Sequence, residues 1–374
     1  MTIVITDCEY RSVLALVQTL GAAGHRLILC QNSEKSFTAP AFSSRYAAQC
    51  HHIDAKADTP AYRAALREIC TAQGDRPVLL TPGAKTLEQV AAHRAEFDSF
   101  ARLLAPSREA LDHANNKAYV QQLAASIGVP TPRTYSDIPD HFPVIIKPTC
   151  GEKLGLKTPQ RYVRADDLQQ YRTEYARMCA YDPDSIVQEY IAGEGIGVSL
   201  AMDQRCQPIA VLCHRRIREY PVSGGPSTCC ETFYDEQLVQ YSVRLLQALH
   251  FTGIAMVEYK GTPGNYRLLE INPRIWGSFP LTRVSGSRLA LRWAQAAAGE
   301  VFSDLDSDYA RPCRMRFALN DTVSVLALLK AGRGADAVQG IRDALSPRVA
   351  EALKNKADPR PFRAYQKSAL RRQS

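Results

Sequence analysis

The segment Val257–Arg274, which reads VEYKGTPGNYRLLEINPR, decides the fold of this chain. Its two halves have the composition of β-strands, and the glycine- and proline-containing stretch between them is typical of a hairpin turn. Glu258 and Glu270 therefore lie on adjacent strands, where their side chains can face one another. Asn272 follows Glu270 by two residues, so its side chain points to the same face.

Two carboxylates and an amide oxygen on one face repel each other unless a cation joins them. Like charges directly opposite one another destabilise a sheet, so a bound cation accounts for this pair better than two surface carboxylates do. Oxygen ligands suit a hard ion, and Mg²⁺ carrying a nucleotide is the usual occupant of such a site. The hairpin therefore predicts a magnesium site.

The composition is that of a globular protein of two or three domains. The chain has 374 residues, of which 45% are apolar and 22% charged. No apolar run approaches the length of a bilayer, and the first residues lack the basic start and the cleavage site of a signal peptide. We expect a cytoplasmic protein with no membrane partner.

The charge and the cysteines exclude other classes. The net charge is +8, but no nucleic-acid recognition motif accompanies it, so we expect no nucleic-acid partner. The eleven cysteines include no CxxC spacing. In a long chain without export signals they are expected to be reduced thiols rather than zinc ligands or disulfides.

The first 105 residues alternate strands and helices. Short apolar strands at 3–6, 27–30 and 77–81 flank helical segments, an order that indicates a parallel sheet covered by helices. A dinucleotide-binding enzyme would carry GxGxxG after the first strand. Residues 6–12 read TDCEYRS instead, so we expect no dinucleotide site.

Two lysines precede the hairpin along the chain. Lys117 begins a helix, and Lys147 ends the apolar strand 144–147. A loop with Gly151, Gly155 and Lys153 follows, and then a strand at 186–191. Lys147 enters a buried stretch, where an unpaired lysine is rare, so phosphate binding is favoured over an exposed strand end.

In this order the residues resemble the ATP-grasp superfamily. The chain is most similar to its carbamoyl-phosphate-synthase-like group of carboxylate–amine ligases, also through Arg45-Tyr46 and the Asp358–Pro361 segment. The resemblance implies an α/β fold in which a parallel-sheet pre-ATP-grasp domain precedes a two-lobed grasp fold with ATP between its lobes. The expected segments are a pre-ATP-grasp domain at 1–110, an N-terminal lobe with the phosphate loop at 111–185, a C-terminal lobe with the magnesium site at 186–305 and a helical extension at 306–374.

The resemblance also implies residue roles. Lys117, Lys147 and the loop residue Lys153 would bind ATP phosphates, although this loop has fewer consecutive glycines than is usual in the family. The strand Gln188–Ile191 would read the adenine edge through the backbone of Glu189, Tyr190 and Ile191, and Glu194 would bind the ribose. One or two Mg²⁺ ions, or Mn²⁺, would be held by Glu258, Glu270 and Asn272. Arg274 would stabilise the transferred phosphoryl group.

The remaining candidates concern the substrate. Strand alternation puts Arg216 and Arg218 on one side of their strand and Arg215 on the other, so we expect Arg216 or Arg218 to meet phosphate or a substrate carboxylate. Trp276 and Ser278 follow the metal ligands and would line the substrate pocket. Packing in the core is an equally good interpretation of Trp276.

Together these residues predict an ATP-dependent ligase that activates a small-molecule carboxylate as an acyl phosphate and couples it to an amine. A phosphotransferase on the same fold and an ATP-binding module without turnover are the alternatives. The apolar helix around Val323 to Leu329 is expected to be core or a dimer contact, so a homodimer is possible.

Overall fold

The structure is a computed structural model. It describes residues 1–33, 37–149, 162–222 and 224–371. Residues 150–161 lie outside the described residues, and with them Lys153 and all of the predicted phosphate loop, Thr149–Lys157, except Thr149.

The N-terminal part forms a four-stranded parallel sheet, as the sequence predicts. The strand order is β3-β2-β1-β4, and apolar side chains of the strands are buried against helices. The elements are β1 (Thr2–Ile5), α1 (Val13–Ala22), β2 (Arg26–Asn32), a short 3₁₀ helix (Pro40–Ser43), β3 (Ala47–Ile53), α2 (Pro60–Thr71), β4 (Val78–Leu80), α3 (Ala84–Ala92) and α4 (Arg94–Asp98).

A small antiparallel sheet of order β5-β8-β6-β7 comes next. Its elements and those that lead to it are α5 (Arg108–Asn115), α6 (Lys117–Ser126), β5 (Thr134–Tyr135), β6 (Val144–Lys147), β7 (Val163–Ala165), α7 (Leu168–Cys179) and β8 (Ile186–Glu189). Because β8 pairs with both β5 and β6, the small sheet continues past the predicted lobe boundary at residue 185.

The largest sheet has seven strands in the order β13-β12-β9-β10-β11-β14-β15, and only β14 and β15 run parallel. Its elements are β9 (Glu194–Met202), β10 (Pro208–Glu219), β11 (Ser227–Phe233), α8 (Glu236–Ala248), β12 (Gly253–Thr262), β13 (Asn265–Asn272), α9 (Pro280–Val284), α10 (Leu289–Ala297), β14 (Arg314–Arg316), α11 (Ala318–Lys330), α12 (Gly334–Leu345), β15 (Val349–Glu351) and α13 (Arg360–Arg371).

The predicted helical extension therefore also contains strands. β14 and β15 each have three residues, too few to leave a periodic signal, and they extend the large sheet at the edge away from the β12–β13 hairpin. Of the apolar residues in α11, Val325 and Leu328 are buried whereas Val323, Leu326 and Leu329 are exposed.

Two sets of contacts join the hairpin region to other parts of the fold. The N-terminal sheet shares one hydrophobic cluster with the large sheet, and the Ile275 amide donates to the Pro82 carbonyl at 3.2 Å. On the other side, α6 lies against β13, where Gln121 Nε2 donates to the Leu268 and Leu269 carbonyls. The end of β13 and the residues that follow it thus contact both the N-terminal domain and α6.

Candidate active site

The hairpin brings its two carboxylates together as the sequence predicts. Glu258 on β12 pairs directly with Glu270 on β13, and a register shift follows between Glu258 and Tyr259. Asn272 lies on the same face, since its Nδ2 donates to Glu258 Oε1 at 3.2 Å. Opposite Glu258 on β9 is Gly197, which has no side chain to cover the pair.

Each carboxylate has a cation of the protein beside it. Lys117 Nζ lies 3.2 Å from Glu270 Oε2, and Arg216 Nη2 lies 2.5 Å from Glu258 Oε1. Burial alone would raise the pKa of Glu270, but Lys117 and Lys147 outweigh it and lower this pKa to about 2. Burial raises the pKa of Glu258 above its usual value, although the Arg216 guanidinium opposes this.

Lys147 reaches the hairpin from the small sheet. Its side chain is buried at the end of β6, and Nζ donates to the Leu269 carbonyl at 3.3 Å. Burial and then the charge of Lys117 lower the pKa of Lys147 to about 8, while Glu270 acts in the opposite direction. A buried lysine this close to a second lysine suits an anionic ligand that both can bind.

Lys117 is placed by the start of α6. The Asn116 side chain caps this helix by accepting the Tyr119 amide at 3.1 Å, as asparagine commonly does. The Lys117 amide donates to the Thr149 carbonyl at 3.0 Å, and Asp182 Oδ2 accepts bonds from both the amide and the hydroxyl of Thr149 at 2.7 Å. Thr149 is the first residue of the predicted phosphate loop and the only part of it that the structure describes.

The predicted adenine strand has one donor that the described residues do not engage. The Glu189 amide donates to the Arg133 carbonyl and the Tyr190 amide to the Pro143 carbonyl. Within the described parts of the chain, the Ile191 amide has no such bond, so it is the donor that suits a ligand. The Gln188 side chain donates to Thr134 Oγ1 and belongs to the small sheet.

Glu194, the predicted ribose ligand, already has a partner. Its Oε1 accepts the Tyr266 hydroxyl at 2.5 Å, which together with burial raises the pKa of that tyrosine. Two cations lie over the Tyr190 ring, Arg164 at 4.4 Å and Lys260 at 5.3 Å from its centroid.

The two candidate arginines of β10 lie on opposite faces, so the expectation that Arg216 and Arg218 share one face is wrong. A register shift between them adds one residue to β10, and such a bulge reverses the alternation beyond it. Arg216 faces Glu258. Arg218 is buried on the far face and bonds to Asp321 and Asp343, which removes it from the candidate substrate residues.

The residues after Asn272 divide in a similar way. Arg274 Nη1 donates to the Ile275 carbonyl at 3.0 Å at the junction with the N-terminal sheet. Trp276 is 2% exposed and packs edge-on to Phe279 with ring centroids 5.2 Å apart, so packing in the core is the correct interpretation. Ser278 is buried and bonds to His214 Nε2 at 3.0 Å, and His214 lies on the same face of the large sheet as Arg216, so the place of Ser278 in the substrate pocket stays a prediction.

Sequence reasoning missed Glu219 and His214. Glu219 Oε1 accepts from Arg216 Nη1 at 3.2 Å, and it lies on the near face only because of the bulge. The His214 ring lies over Gly197, and burial, followed by the charge of Arg216, lowers its pKa to about 3, so it is neutral. Gly197 pairs with Glu258 on one side and with His214 on the other, so knowledge of the strand pairing would have identified His214.

The donor set fits Mg²⁺ bound together with phosphate. Among the described residues there is no group of three or more His, Cys, Asp or Glu placed to hold a metal ion. The protein therefore offers two carboxylates and one amide oxygen, and Mg²⁺ characteristically completes such a shell with phosphate oxygens and water. The neighbouring lysines supply the charge that phosphates need.

The chain is similar in sequence to known proteins. The family model described as "ATP-grasp in the biosynthetic pathway with Ter operon" matches residues 181–317. The carbamoyl phosphate synthase large chain of Thermomicrobium roseum is 23% identical over 302 residues, which cover 75% of this chain. They cover only 27% of that protein, so the chain spans about a quarter of this relative's length.

Three solved structures are similar in fold. A biotin carboxylase complex from Campylobacter jejuni has a TM-score of 0.62 at 16% identity and covers 81% of this chain and 72% of its own. The biotin carboxylase domain of 2-oxoglutarate carboxylase from Hydrogenobacter thermophilus, a dimer solved with MgADP and bicarbonate, has a TM-score of 0.64 at 14% identity and covers 83% and 73%. An L-amino acid ligase from Bacillus licheniformis has a TM-score of 0.57 at 16% identity and covers 81% and 75%.

A membrane-spanning helix is absent from the part of the chain that the structure describes, where no helix has both the length and the apolar character required.

Proposed function

We propose that this chain, which has the ATP-grasp fold with a parallel-sheet domain before it, is an ATP-dependent ligase that joins a carboxylate to an amine. One observation carries the proposal: Glu258 and Glu270 face each other, and Lys117, Lys147 and Arg216 surround them. The fold neighbours and the carbamoyl phosphate synthase relative support ATP chemistry.

The chemistry divides into two steps. An oxygen of the substrate carboxylate attacks the γ-phosphorus of ATP, the bond from that phosphorus to the bridging oxygen breaks, and ADP leaves. The amine then attacks the acyl carbon, the bond from carbon to the phosphate oxygen breaks, and the amine loses a proton as phosphate departs. Both steps depend on neutralising negative charge and on orienting the reactants.

The residues divide this work by position. Glu258, Glu270 and Asn272 would hold Mg²⁺, which when bound supplies Lewis-acid stabilisation of the phosphate charge. Lys117 and Lys147 would bind phosphates from the side of the small sheet. Other predicted roles stay proposals: Ile191 and its neighbours for adenine, Glu194 for ribose, and Arg216 and Arg274 for the transferred group.

Hydroxylamine distinguishes this activity from a phosphotransferase. In the presence of ATP, Mg²⁺ and a panel of small carboxylic acids, a ligase of this kind should release ADP and convert the acyl phosphate into a hydroxamate, which ferric chloride detects. We expect Glu270→Gln to lose both products while keeping its melting temperature. Glu300→Gln, which changes an exposed carboxylate, is the matched control.

Each other outcome has a defined meaning. ADP release with a substrate but without hydroxamate would replace the ligase with a phosphotransferase. Normal turnover by Glu270→Gln would show that the metal site is wrongly assigned. ATP binding without ADP release across the panel would favour the binding module.

A further inference from the structure

Arg216 lies between two arginines whose side chains leave β10 on the opposite face. The register shift places Arg215 and Arg218, three residues apart, on the side of α11 and α12. Arg216 and Glu219 point toward the hairpin and bond to each other at 3.2 Å. The bulge therefore aims one guanidinium into the site and fixes the strand on either side of it.

The far-face side chains form a continuous chain of ion pairs. The N···O distances are 2.7 Å for Arg215–Glu231, 2.7 Å for Arg314–Glu231, 2.9 Å for Arg314–Asp343, 2.7 Å for Arg218–Asp343 and 2.8 Å for Arg218–Asp321. Arg218, Asp321 and Asp343 are each at most 5% exposed. Arg316 Nη1 also lies 4.0 Å from Asp321 Oδ2, so four arginines share three carboxylates, and removal of one buried carboxylate would leave more arginine charge uncompensated.

The helical hairpin α11–α12 supplies two of these carboxylates. Asp321 comes from α11 and binds the Arg218 guanidinium with both oxygens, at 2.8 and 2.9 Å. It also accepts the Thr228 hydroxyl at 3.0 Å, and Ser324 of the same helix donates to the Glu219 carbonyl at 2.8 Å. The helices thus bond to the strand on the C-terminal side of Arg216 through both side chain and backbone.

We propose that Asp321 and Asp343 are positioning residues that hold the Arg216 guanidinium beside Glu258. This inference rests on the proposed function and assigns a task to the C-terminal helices within it. A guanidinium fixed 2.5 Å from a metal ligand has two opposite effects. It would stabilise charge on the transferred phosphoryl group, and it would repel an Mg²⁺ ion held by the same carboxylate.

Asp321→Asn tests the proposal because it keeps the shape of the side chain and removes its charge. With Arg216 less firmly held, we expect kcat for ADP release to fall about tenfold while KM for ATP stays within about twofold. We expect the affinity for Mg²⁺, titrated calorimetrically into the ADP-loaded protein, to rise about threefold as the competing cation moves away. General structural damage would weaken catalysis and metal binding together.

A double-mutant cycle with Arg216→Ala shows whether the effect passes through this arginine. Both changes caused by Asp321→Asn should disappear in the Arg216→Ala background. Asp306→Asn is the matched control. Asp306 is also buried and pairs with arginines, Arg288 and Arg292, but it lies beside the opposite end of β10, next to Ala210. It should alter stability without changing the affinity for Mg²⁺.

If Asp321→Asn fails to fold, Thr228→Val removes one bond to Asp321 more gently and should shift kcat and Mg²⁺ affinity in the same directions. Additive effects in the cycle, or an equal response from Asp306→Asn, would overturn the positioning role. The metal titration needs no substrate. Absence of ADP release with every acid would therefore contradict the proposed function. An Mg²⁺ affinity that Asp321→Asn leaves unchanged would contradict this inference alone.

Discussion

At the scale of single residues, the site balances its own charges. Lys117 pairs with Glu270 and Arg216 with Glu258, so the cations proposed for phosphate neutralise the carboxylates proposed for the metal. ATP arriving with Mg²⁺ can satisfy both sets at once, whereas either one alone leaves a buried charge without compensation. We therefore interpret the site as built for the metal–nucleotide complex rather than for its components.

Lys147 gives the site a predicted pH dependence. Its pKa of about 8 means that the side chain is charged below pH 8 and neutral above it. Because the proposed phosphate contact requires the charged form of Lys147, ATP affinity should be level from about pH 7 to 8 and then fall by up to about tenfold per pH unit, since binding must restore the proton. Calorimetric titration with MgATP across this range measures it.

Lys147→Gln is the control for this dependence. It should bind ATP more weakly at pH 7 and show no inflection near pH 8. An affinity of the unaltered protein that stays level to pH 9.5 would contradict the phosphate role of Lys147, and so would an unchanged affinity of the variant at pH 7.

At the scale of elements, β9 is the strand on which the site is built. It lies between β12, which carries Glu258, and β10, which carries Arg216. Gly197 occupies the point opposite both Glu258 and His214, and the His214 ring fills the space above it. A side chain at position 197 would push the His214 ring against its buried neighbours.

Gly197→Ala should therefore destabilise the protein, although alanine normally suits a strand better than glycine does. The added Cβ would overlap His214 Cε1 and lie 2.9 Å from both His214 Nδ1 and Met256 Sδ. We expect the free energy of unfolding to fall by about 1–3 kcal/mol in urea denaturation, as for other overpacked interiors.

Gly334→Ala is the matched control, because no atom lies within 4 Å of its added Cβ at the start of α12. It should leave stability unchanged or raise it by less than about 1 kcal/mol. Combining Gly197→Ala with His214→Ala should remove the overlap with the imidazole ring and leave only the close approach to Met256 Sδ. A double variant that loses as much stability as the two single variants together would contradict this explanation.

At the scale of the whole molecule, the C-terminal segment fastens the N-terminal domain. Asp358 is fully buried, and its carboxylate accepts the Arg45 amide at 2.9 Å, the Ser44 hydroxyl at 2.7 Å and Gln18 Nε2 at 3.1 Å. The Arg45-Tyr46 motif and the Asp358–Pro361 segment, about three hundred residues apart in the sequence, are thus in contact. The division into four segments stays a proposal, and these contacts show that its first and last members pack together.

The C-terminal helices also present an apolar surface, through which we expect the predicted homodimer to form. Leu319, Val323 and Leu326 of α11 are 44–54% exposed, and α12 adds Val338, Ile341 and Leu345. We expect two copies to meet through these helices, because concentrated exposed apolar side chains mark interfaces. Sedimentation velocity should show a dimer, and Leu326→Glu should yield monomers.

Ile138→Glu, which changes a side chain that is 60% exposed on another part of the molecule, should leave the dimer intact. A monomeric unaltered chain at every concentration tested would contradict the homodimer. A dimer that both substitutions leave unchanged would show that it forms elsewhere.

The hairpin and the parallel sheet were predictable because their signals are local. Turn composition and strand periodicity between Val257 and Arg274 place Glu258 opposite Glu270 without any knowledge of distant residues. The apolar strand 144–147 likewise indicated that Lys147 is buried. The outcome for Trp276 could not be predicted, because a buried aromatic side chain and a pocket wall have the same sequence.

The tertiary structure alone decided which side chains of β10 share the site. A bulge of one residue in β10 reversed the direction of Arg218, brought Glu219 to the near face and joined Arg218 to Asp321 and Asp343. The sequence determined which chemical groups are available and on which strand or helix each lies, because strand and turn signals depend only on residues nearby in the chain. Strand pairing determined which of these groups lie together. The bulge in β10 is a feature of its pairing with β11, and its side chains contact helices about one hundred residues later in the chain.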